Sequence, residues 1–248
     1  MNQSLIFYLQ NYWWCIILLA IFSYILGSIN FAVLFTRIVK KQDIRTLGSG
    51  NAGFTNVLRC VGVFPAVMTF VFDFLKAVIS VLAARLLIYY LPYTEGLKFG
   101  EALKTEYMYY TMLIAGLFCV VGHSFPVFFH FKGGKGVVTT AAMMAVIDWR
   151  FFLFVLGTFL IVFAFSRIIS LSSIIAGIMM GPSNFIVTYF FMAEPSHGSD
   201  QPHSLTFVLV TTILAALIGL FAIIKHKDNI KRILKGEEKK ITAKKKES

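Results

Sequence analysis

Charged side chains are scarce in this sequence: Asp, Glu, Lys and Arg make up 14% of the 248 residues, whereas 58% are hydrophobic. This imbalance excludes an ordinary water-soluble domain and is typical of a polytopic membrane protein. Several segments reach the ~20 apolar residues that a helix needs to cross the hydrocarbon core. Because a backbone in lipid must satisfy its own hydrogen bonds, we expect these segments to be helices.

The usual signatures of metal and hydrolase sites are also missing. Cys15, Cys60 and Cys119 lie far apart in apolar surroundings and form no CxxC pair, so we expect inert small hydrophobes. No HExxH sequence or cysteine cluster indicates zinc, no Gly-x-Ser-x-Gly indicates a serine hydrolase, and no carboxylate cluster suits magnesium. The sequence therefore predicts that neither a metal nor a cofactor is required.

Seven apolar segments are expected to cross the membrane, which predicts an all-α, polytopic integral membrane protein with about seven transmembrane helices. The fourth and fifth segments are short, and such a pair suggests a thinned or partly re-entrant region. We expect residues 1–236 to form a single membrane domain and residues 237–248 a basic cytoplasmic tail. The seven segments are residues 13–36, 61–91, 108–121, 137–147, 151–165, 174–192 and 205–224.

Positive charge is concentrated on one side of this predicted arrangement. Eighteen of the 23 Lys and Arg residues fall on the side of the C-terminus, against three on the other side. The positive-inside rule therefore predicts a multi-pass protein of the cell (plasma) membrane with a cytoplasmic C-terminus and an extracytoplasmic N-terminus. The net charge of +11 fits this topology and attraction to anionic membrane lipid, and we expect no nucleic-acid partner. The oligomeric state is left open, a monomer included.

Residues 122–136 form the one stretch in which cationic, Gly-rich sequence interrupts the apolar segments. Gly133, Gly134 and Gly136 surround Lys135, and an apolar helix is expected to follow. Backbone N–H groups and ammonium groups at a helix N-terminus bind phosphate well. The spacing does not fit a nucleotide P-loop, which has Ser or Thr directly after its lysine, where this sequence has Gly136. The alternative is a tight cytoplasmic turn whose lysines only set the topology.

Every polar interruption rich in Gly, Ser, Asn, His or Arg falls on the predicted cytoplasmic side. Turns alone would not need such side chains at one membrane face, so we expect these segments to converge on a single site there. The four segments are residues 45–56, 122–140, 166–173 and 225–236.

Four motifs occur in order along the chain: residues 48–56 (GSGNAGFTN), residues 122–139, Arg167 with residues 170–173, and His226, Asn229 and Arg232 with residues 236–237. Together they resemble the bacterial membrane acyl-phosphate:glycerol-3-phosphate acyltransferases, and the resemblance covers most of the chain. The sequence departs from that family's pattern at Asn30, where Pro is usual, at Phe54, where Ala is usual, and at Ala77, where Gly is usual. Phe54 is the departure that we expect to narrow the site or to shift acyl preference.

The resemblance implies transfer of a fatty acyl group from acyl phosphate to the 1-hydroxyl of glycerol 3-phosphate. The products would be lysophosphatidic acid and phosphate, in the first acylation step of phospholipid synthesis. Such a reaction brings two phosphates together, so Arg, Lys and backbone N–H groups must offset their charge. The alternative from another class is a membrane transporter of an organic phosphate or other anion, although no internal repeat of the kind common in transporters is visible.

For the proton of the attacking hydroxyl, the resemblance and the spacing to Asn229, one helical turn later, favour His226 as general base. Two alternatives stay open. A substrate phosphate takes the proton while His226 positions glycerol 3-phosphate, or His226 is an ordinary membrane-surface histidine. Asp73 and Lys76 are expected to form a structural pair near the site. The catalytic candidates are His226, Asn229 and Ser170.

Arg45 and Lys135 lead the substrate-binding candidates, because we expect both to contact phosphate. The Ser and Asn residues of the same segments are also good helix caps and turn formers, and His123 is favoured as a structural histidine. The full set is Ser28, Arg45, Ser49, Asn51, Thr55, Asn56, His123, Lys132, Gly133, Gly134, Lys135 and Gly136.

Overall fold

A computed structural model describes residues 3–90, 101–193 and 203–241, and every regular element in these ranges is helical. The helices are α1 (Gln3–Gly27), α2 (Phe31–Lys40), α3 (Phe54–Cys60), α4 (Val63–Tyr90), α5 (Glu101–Ser124), α6 (Val137–Ile147), α7 (Trp149–Ser166), α8 (Ile169–Ile178), α9 (Met180–Thr188), α10 (Leu205–Lys225) and α11 (Lys227–Leu234). Two 3₁₀ turns follow α2 and α5, at Ile44–Thr46 and Val127–Phe129, and a π-helical turn, Tyr189–Ala193, extends α9. The predicted all-α class is confirmed.

Within the described ranges, five helical stretches are long and apolar enough to cross a membrane: Leu9–Lys40, Val63–Tyr90, Lys104–Phe129, Trp149–Ser166 and Leu205–Lys225. Helices α8 and α9 meet at a bend of 44° and form a sixth if the bent pair is one span. The remaining predicted crossing is α6, whose 11 residues extend only about 16 Å, roughly half the thickness of the hydrocarbon core. The chain is therefore a multi-pass membrane protein, and the count of seven crossings stays a prediction.

The first span is broken near its C-terminal end, whereas the sequence predicted one continuous segment over residues 13–36. Helix α1 ends at Gly27, and α2 begins only at Phe31, after Asn30. The side chain of Asn30 accepts a hydrogen bond from the backbone N–H of Val33 at 3.1 Å, which is the geometry of a helix N-cap. Asn30, one of the departures from the family pattern, thus starts a new helix.

Helices α1 and α5 cross in close contact at two glycines. A Cβ on Gly27 would lie 2.2 Å from the carbonyl oxygen of Cys119, and one on Gly122 would lie 2.2 Å from that of Tyr24. Any larger side chain would push the two helices apart. This crossing brings the end of α5, including His123, against the break in the first span.

Helix α10 runs antiparallel to α8 and α9 and meets both of them at glycine. A Cβ on Gly219 would lie 2.1 Å from the carbonyl oxygen of Gly177, and one on Gly181 would lie 3.1 Å from Cβ of Ala216. Ser170 lies seven residues before Gly177, and His226 lies seven residues after Gly219. Both are therefore about 10 Å along their helices from the crossing and reach the same membrane face.

Candidate active site

Arg45 joins two loops that are distant in sequence, residues 43–53 and residues 125–136. Its Nη1 donates hydrogen bonds to the carbonyl oxygens of Phe129 at 2.7 Å and Lys132 at 3.2 Å. Its Nε and Nη2 donate to the carboxylate of Asp43 at 2.9 and 2.7 Å. These bonds hold the pKa of Asp43 well below its usual range. Arg45 was predicted to contact phosphate, but most of its donors are used to hold the loops together.

The side chain of Asn56 holds residues 43–53 together through hydrogen bonds to their backbone. Its Oδ1 accepts a hydrogen bond from the backbone N–H of Ser49 at 3.0 Å, and its Nδ2 donates to the carbonyl oxygens of Ile44 at 3.3 Å and Leu47 at 2.9 Å. Because the side chain is buried and both amide hydrogens are donated inside the protein, Asn56 has no donor left for a substrate. The side-chain hydrogen bonds of Asn56 therefore support the loop, whereas the sequence predicted a substrate contact.

The other predicted residues of this loop remain at its surface. Ser49 is exposed, and Asn51 and Thr55 are half-buried beside it. The loop touches residues 125–136 at Gly134, where a Cβ would lie 2.5 Å from the carbonyl oxygen of Ala52. The two predicted phosphate-binding segments are therefore in direct contact.

The Gly-rich loop lies flat against the end of α5. The backbone N–H of Gly133 donates to the carbonyl oxygen of Ser124 at 3.3 Å, and that of Gly134 donates to the carbonyl oxygen of His123 at 3.2 Å. A Cβ on Gly133 would lie 2.0 Å from that His123 oxygen. These two N–H groups therefore serve the fold, although the sequence led us to expect them at a phosphate.

Helix α6 starts directly after this loop, and no side chain caps its N-terminus. Gly136 has a φ of 76°, a left-handed conformation that glycine adopts without strain, and it gives the helix no side-chain cap. The first N–H groups of an uncapped helix carry partial positive charge. The uncapped N-terminus of α6, next to Lys135, is where the sequence predicts an anion site.

His123 belongs to a buried charged cluster beneath the loop. The carboxylate of Asp73 lies 2.8 Å from the Lys76 ammonium and 3.4 Å from Nδ1 of His123, and that Nδ1 lies 3.0 Å from the Lys76 ammonium. Lys76 also donates to the carbonyl oxygens of Gly27 and Ile29 at 3.0 and 2.8 Å. The cluster ties α4 and α5 to the break in the first span, which is the structural role that the sequence favoured.

Ser28 also helps to hold the break in the first span in place. Its hydroxyl donates to the carbonyl oxygen of Tyr24 at 2.8 Å and accepts from the backbone N–H of Val127 at 3.4 Å. Since the side chain is buried, it links the break in the first span to residues 125–136. Lys132 differs, because its side chain is exposed and only its carbonyl oxygen contacts Arg45.

Lys135 points away from the loop toward the C-terminal motif. Its ammonium donates a hydrogen bond to Oδ1 of Asn229, which is buried on α11. Burial lowers the pKa of Lys135 to about 8, and the cations Arg232 and Lys225 lower it further, while Glu238 and Asp228 act in the opposite direction. Lys135 is therefore a partly desolvated cation, which makes it well suited to an anionic ligand.

Glu238 completes this cluster and was not among the predicted residues. Its Oε1 accepts hydrogen bonds from Asn229 at 2.6 Å and Ser170 at 2.7 Å, and its Oε2 accepts from Nε of Arg232 at 2.6 Å. Burial alone would raise the pKa of Glu238, but these three hydrogen bonds outweigh burial and hold the pKa below its usual value. The site thus contains an ionised carboxylate beside its cations.

Glu238 lies beyond the predicted end of the membrane domain at Gly236. The sequence predicts a membrane domain that ends at Gly236 and a basic tail that begins at Glu237. Glu238 falls within this predicted tail, next to several lysines. In the structure the backbone N–H of Ile241 donates to the carbonyl oxygen of Arg167 at 2.9 Å, so the chain beyond Gly236 contacts the membrane domain at Glu238 and at the backbone of Ile241, while Lys239 and Lys240 are exposed. Glu238 could have been identified from the sequence, because it lies only two residues after Gly236 of the C-terminal motif.

His226 lies between α10 and α11 and is 2% exposed. Its Nδ1 is 2.8 Å from the carbonyl oxygen of Ala222. Because a carbonyl can only accept, Nδ1 carries the proton and the lone pair is on Nε2. Burial lowers the pKa of His226 to about 4. The positive charge of Lys135 also lowers this pKa, whereas the hydrogen bond to Ala222 raises it. His226 is therefore neutral at pH 7 and can accept a hydrogen bond.

The structure thus brings three of the four predicted segments together around Lys135, Ser170, His226 and Asn229. The fourth segment contains Arg45, which donates hydrogen bonds to the Gly-rich loop. In the part of the chain that the structure describes, no group of three or more His, Cys, Asp or Glu side chains is arranged to hold a metal ion.

The sequence profile of the family described as "Glycerol-3-phosphate acyltransferase" matches residues 17–236. The chain is 32% identical over 227 residues to a glycerol-3-phosphate acyltransferase of Prochlorococcus marinus (strain MIT 9515), covering 92% of this chain and 98% of that protein. It is 34% identical over 221 residues to one of Francisella tularensis subsp. novicida (strain U112), covering 89% and 90%.

Two solved structures have a similar fold. Both are crystal structures of PlsY (YgiH), an integral membrane glycerol 3-phosphate acyltransferase. The glycerol 3-phosphate form has a TM-score of 0.66 and 33% identity, covering 92% of this chain and 96% of that one. The lysophosphatidic acid form has a TM-score of 0.64 and 32% identity, with the same coverage.

Proposed function

Because the chain belongs to the glycerol-3-phosphate acyltransferase family, we propose that it transfers a fatty acyl group from acyl phosphate to the 1-hydroxyl of glycerol 3-phosphate, giving lysophosphatidic acid and phosphate. The observation that carries this proposal is the convergence of Lys135, the N-terminus of α6 and the Asn229–Glu238–Ser170 cluster. Such a site offers positive charge for phosphates and hydrogen-bond acceptors for glycerol hydroxyls.

The reaction makes one bond and breaks another at the same carbonyl carbon. The hydroxyl oxygen of glycerol 3-phosphate forms an ester bond to that carbon, and the bond from the carbon to the phosphate oxygen breaks, so that phosphate leaves with the electron pair. Charge grows on the leaving phosphate, and preorganised donors stabilise it most. Lys135 and the α6 N–H groups are the donors proposed for this role, and Asn229 and Ser170 orient the acceptor.

The proton of the attacking hydroxyl has two candidate acceptors, His226 Nε2 and a phosphate oxygen of a substrate. The pKa of His226 is about 4, whereas the second ionisation of a phosphate monoester lies near 6, so the phosphate oxygen is the stronger base. We therefore favour proton transfer from the 1-hydroxyl to substrate phosphate, with neutral His226 accepting a hydrogen bond from the 2-hydroxyl of glycerol 3-phosphate and holding the acceptor in position.

The proposed setting is the cytoplasmic face of the plasma membrane, with the N-terminus outside. The Lys and Arg residues on the side of the C-terminus support this orientation. At that face a water-soluble acceptor can enter from the cytoplasm while the acyl chain of the donor remains in lipid. The proposed reaction requires no metal, because Lys and Arg can offset phosphate charge.

The proposal is tested by incubating the purified protein with acyl phosphate and labelled glycerol 3-phosphate. We expect labelled lysophosphatidate, and a much lower rate when acyl-CoA replaces acyl phosphate. Equal rates with acyl-CoA would remove the acyl-phosphate assignment. Saturable uptake of glycerol 3-phosphate into sealed vesicles, without product, would replace the enzyme by the transporter alternative.

A further inference from the structure

Lys225, the last residue of α10, is a half-buried cation that the proposed mechanism does not use. Its ammonium lies 4.2 Å from the centroid of the Phe125 ring and 3.4 Å from the carbonyl oxygen of Ser124, to which it donates a hydrogen bond. It forms no ion pair with any carboxylate that the structure describes. A half-buried ammonium that contacts a ring and a carbonyl, with no described carboxylate beside it, favours an anionic ligand.

The position of Lys225 relates it directly to the reaction site. The Ser124 carbonyl oxygen that it contacts also accepts the N–H of Gly133, so Lys225 lies against the Gly-rich loop. Lys225 is also one of the cations that depress the pKa of Lys135. Two ammonium groups therefore flank the loop: Lys135 faces the Asn229 cluster, and Lys225 faces the seam between α5 and α10.

That seam opens onto the apolar outer surface of a membrane span. Phe125 is 40% exposed and packs against Phe221 with 6.0 Å between ring centroids and a 73° angle between ring planes. On the same helix as Phe221, Leu217, Leu220 and Ile224 are exposed. Exposed apolar side chains on a spanning helix face lipid. Lys225 thus lies where the polar Gly-rich loop meets the lipid-facing surface of α10.

We propose that Lys225 binds the phosphate group of the acyl-phosphate donor, and that the acyl chain leaves the site past Phe125 and Phe221 into lipid. An acyl phosphate has the two properties that this position recognises, an anionic phosphate and an apolar chain attached to it. Lys135 and the α6 N–H groups then stabilise the charge that grows on this phosphate as it leaves, while Asn229, Ser170 and Glu238 serve the glycerol 3-phosphate side. This assignment rests on the proposed function and gives Lys225 the binding of the donor before the reaction.

The test is steady-state kinetics of the full chain with acyl phosphate and glycerol 3-phosphate varied independently. For Lys225→Met we expect the KM for acyl phosphate to rise about 10- to 100-fold, the range of a lost charge-assisted hydrogen bond, with the KM for glycerol 3-phosphate unchanged. Lys225→Arg should keep most of the donor affinity, because guanidinium also binds phosphate. The matched control is Lys227→Met, two residues away on the exposed side of α11, which should leave both KM values unchanged.

The opposing outcomes are distinct. No product from the wild-type protein would overturn the proposed function itself. Wild-type activity with an unchanged donor KM in Lys225→Met, or with equal rises in both KM values, would overturn the role of Lys225. The same phosphate chemistry occurs in phospholipid headgroups, so the assays are repeated in bilayers with and without anionic lipid. A Lys225→Met defect that depends on anionic lipid at unchanged donor KM would assign Lys225 to a headgroup instead. If Lys225→Met is poorly folded, Lys225→Gln provides the same comparison.

Discussion

The ammonium of Lys135 donates a hydrogen bond to Oδ1 of Asn229, which lies 94 residues further along the chain. This contact connects the Gly-rich loop before α6 with helix α11, and through Asn229 it reaches Glu238 and Ser170. The hydrogen-bonded chain therefore contains residues from three of the four motifs that the sequence placed on one membrane face.

Lys135 should supply charge to the transition state. Lys135→Ala is expected to lower kcat by about 10²- to 10³-fold, as is typical when a preorganised donor is removed. The pKa of Lys135 in the free protein is lowered to about 8, so the ammonium is lost as the pH rises through that value and kcat/KM should fall above it. Lys135→Arg should retain part of the activity and lose this alkaline limb, because guanidinium stays charged. An unchanged alkaline limb in Lys135→Arg would assign it to another group.

His226 should position the acceptor without taking its proton. His226→Ala is then expected to raise the KM for glycerol 3-phosphate by about tenfold, the effect of one lost hydrogen bond, and to leave the pH dependence of kcat unchanged. The measurement is a pH–rate profile extending down to pH 4 or as far as the protein stays folded, since the pKa of His226 is about 4. A kcat reduced by about 10²- to 10⁴-fold, together with loss of the acid limb, would identify His226 as the general base.

Glu238 should hold Ser170, Asn229 and Arg232 in place. Glu238→Gln preserves the shape but removes the charge that accepts their hydrogen bonds, and we expect kcat/KM for glycerol 3-phosphate to fall about 10- to 100-fold. The matched control is Glu237→Gln, at the exposed neighbouring position. Similar activities for the two variants would show that Glu238 is dispensable.

The pH dependence of stability should also report on Glu238. Its pKa is lowered in the folded protein, so the ionised side chain stabilises the fold above the usual glutamate pKa, and this contribution is lost as the pH falls through the folded value. Thermal unfolding of the wild type and Glu238→Gln should therefore differ more at neutral pH than in acid. A constant difference across that range would contradict the ionised state of Glu238.

Arg45 should act mainly as a clamp between loops. If so, Arg45→Lys and Asp43→Asn should each reduce activity, and the double variant should lose little more than Arg45→Lys, because both changes disrupt the same pair. Kinetics of the two single variants and the double variant provide this comparison. A much larger loss in Arg45→Lys than in Asp43→Asn, seen mainly in a substrate KM, would restore the predicted phosphate contact.

The sequence by itself determined that this is a membrane protein, and it located most of the membrane-spanning segments. Hydrophobic length is a local property, since any segment of ~20 apolar residues must form a helix in lipid wherever its neighbours lie. The Gly-rich loop and the spacing of His226 and Asn229 were likewise readable, because both depend on a few adjacent residues. The break at Asn30 was missed because a capping residue inside an apolar run can also be read as a polar position within one helix.

Only the tertiary structure decided which predicted side chains are free to meet a substrate. Arg45, Ser28 and Asn56 looked like ligand contacts, yet their hydrogen bonds are made to groups inside the protein, several of them in distant segments. Glu238 looked like part of a solvated tail, yet it accepts hydrogen bonds from two helices. A polar side chain can satisfy its donors and acceptors with any backbone or side chain that folding brings near, and sequence spacing does not contain that information.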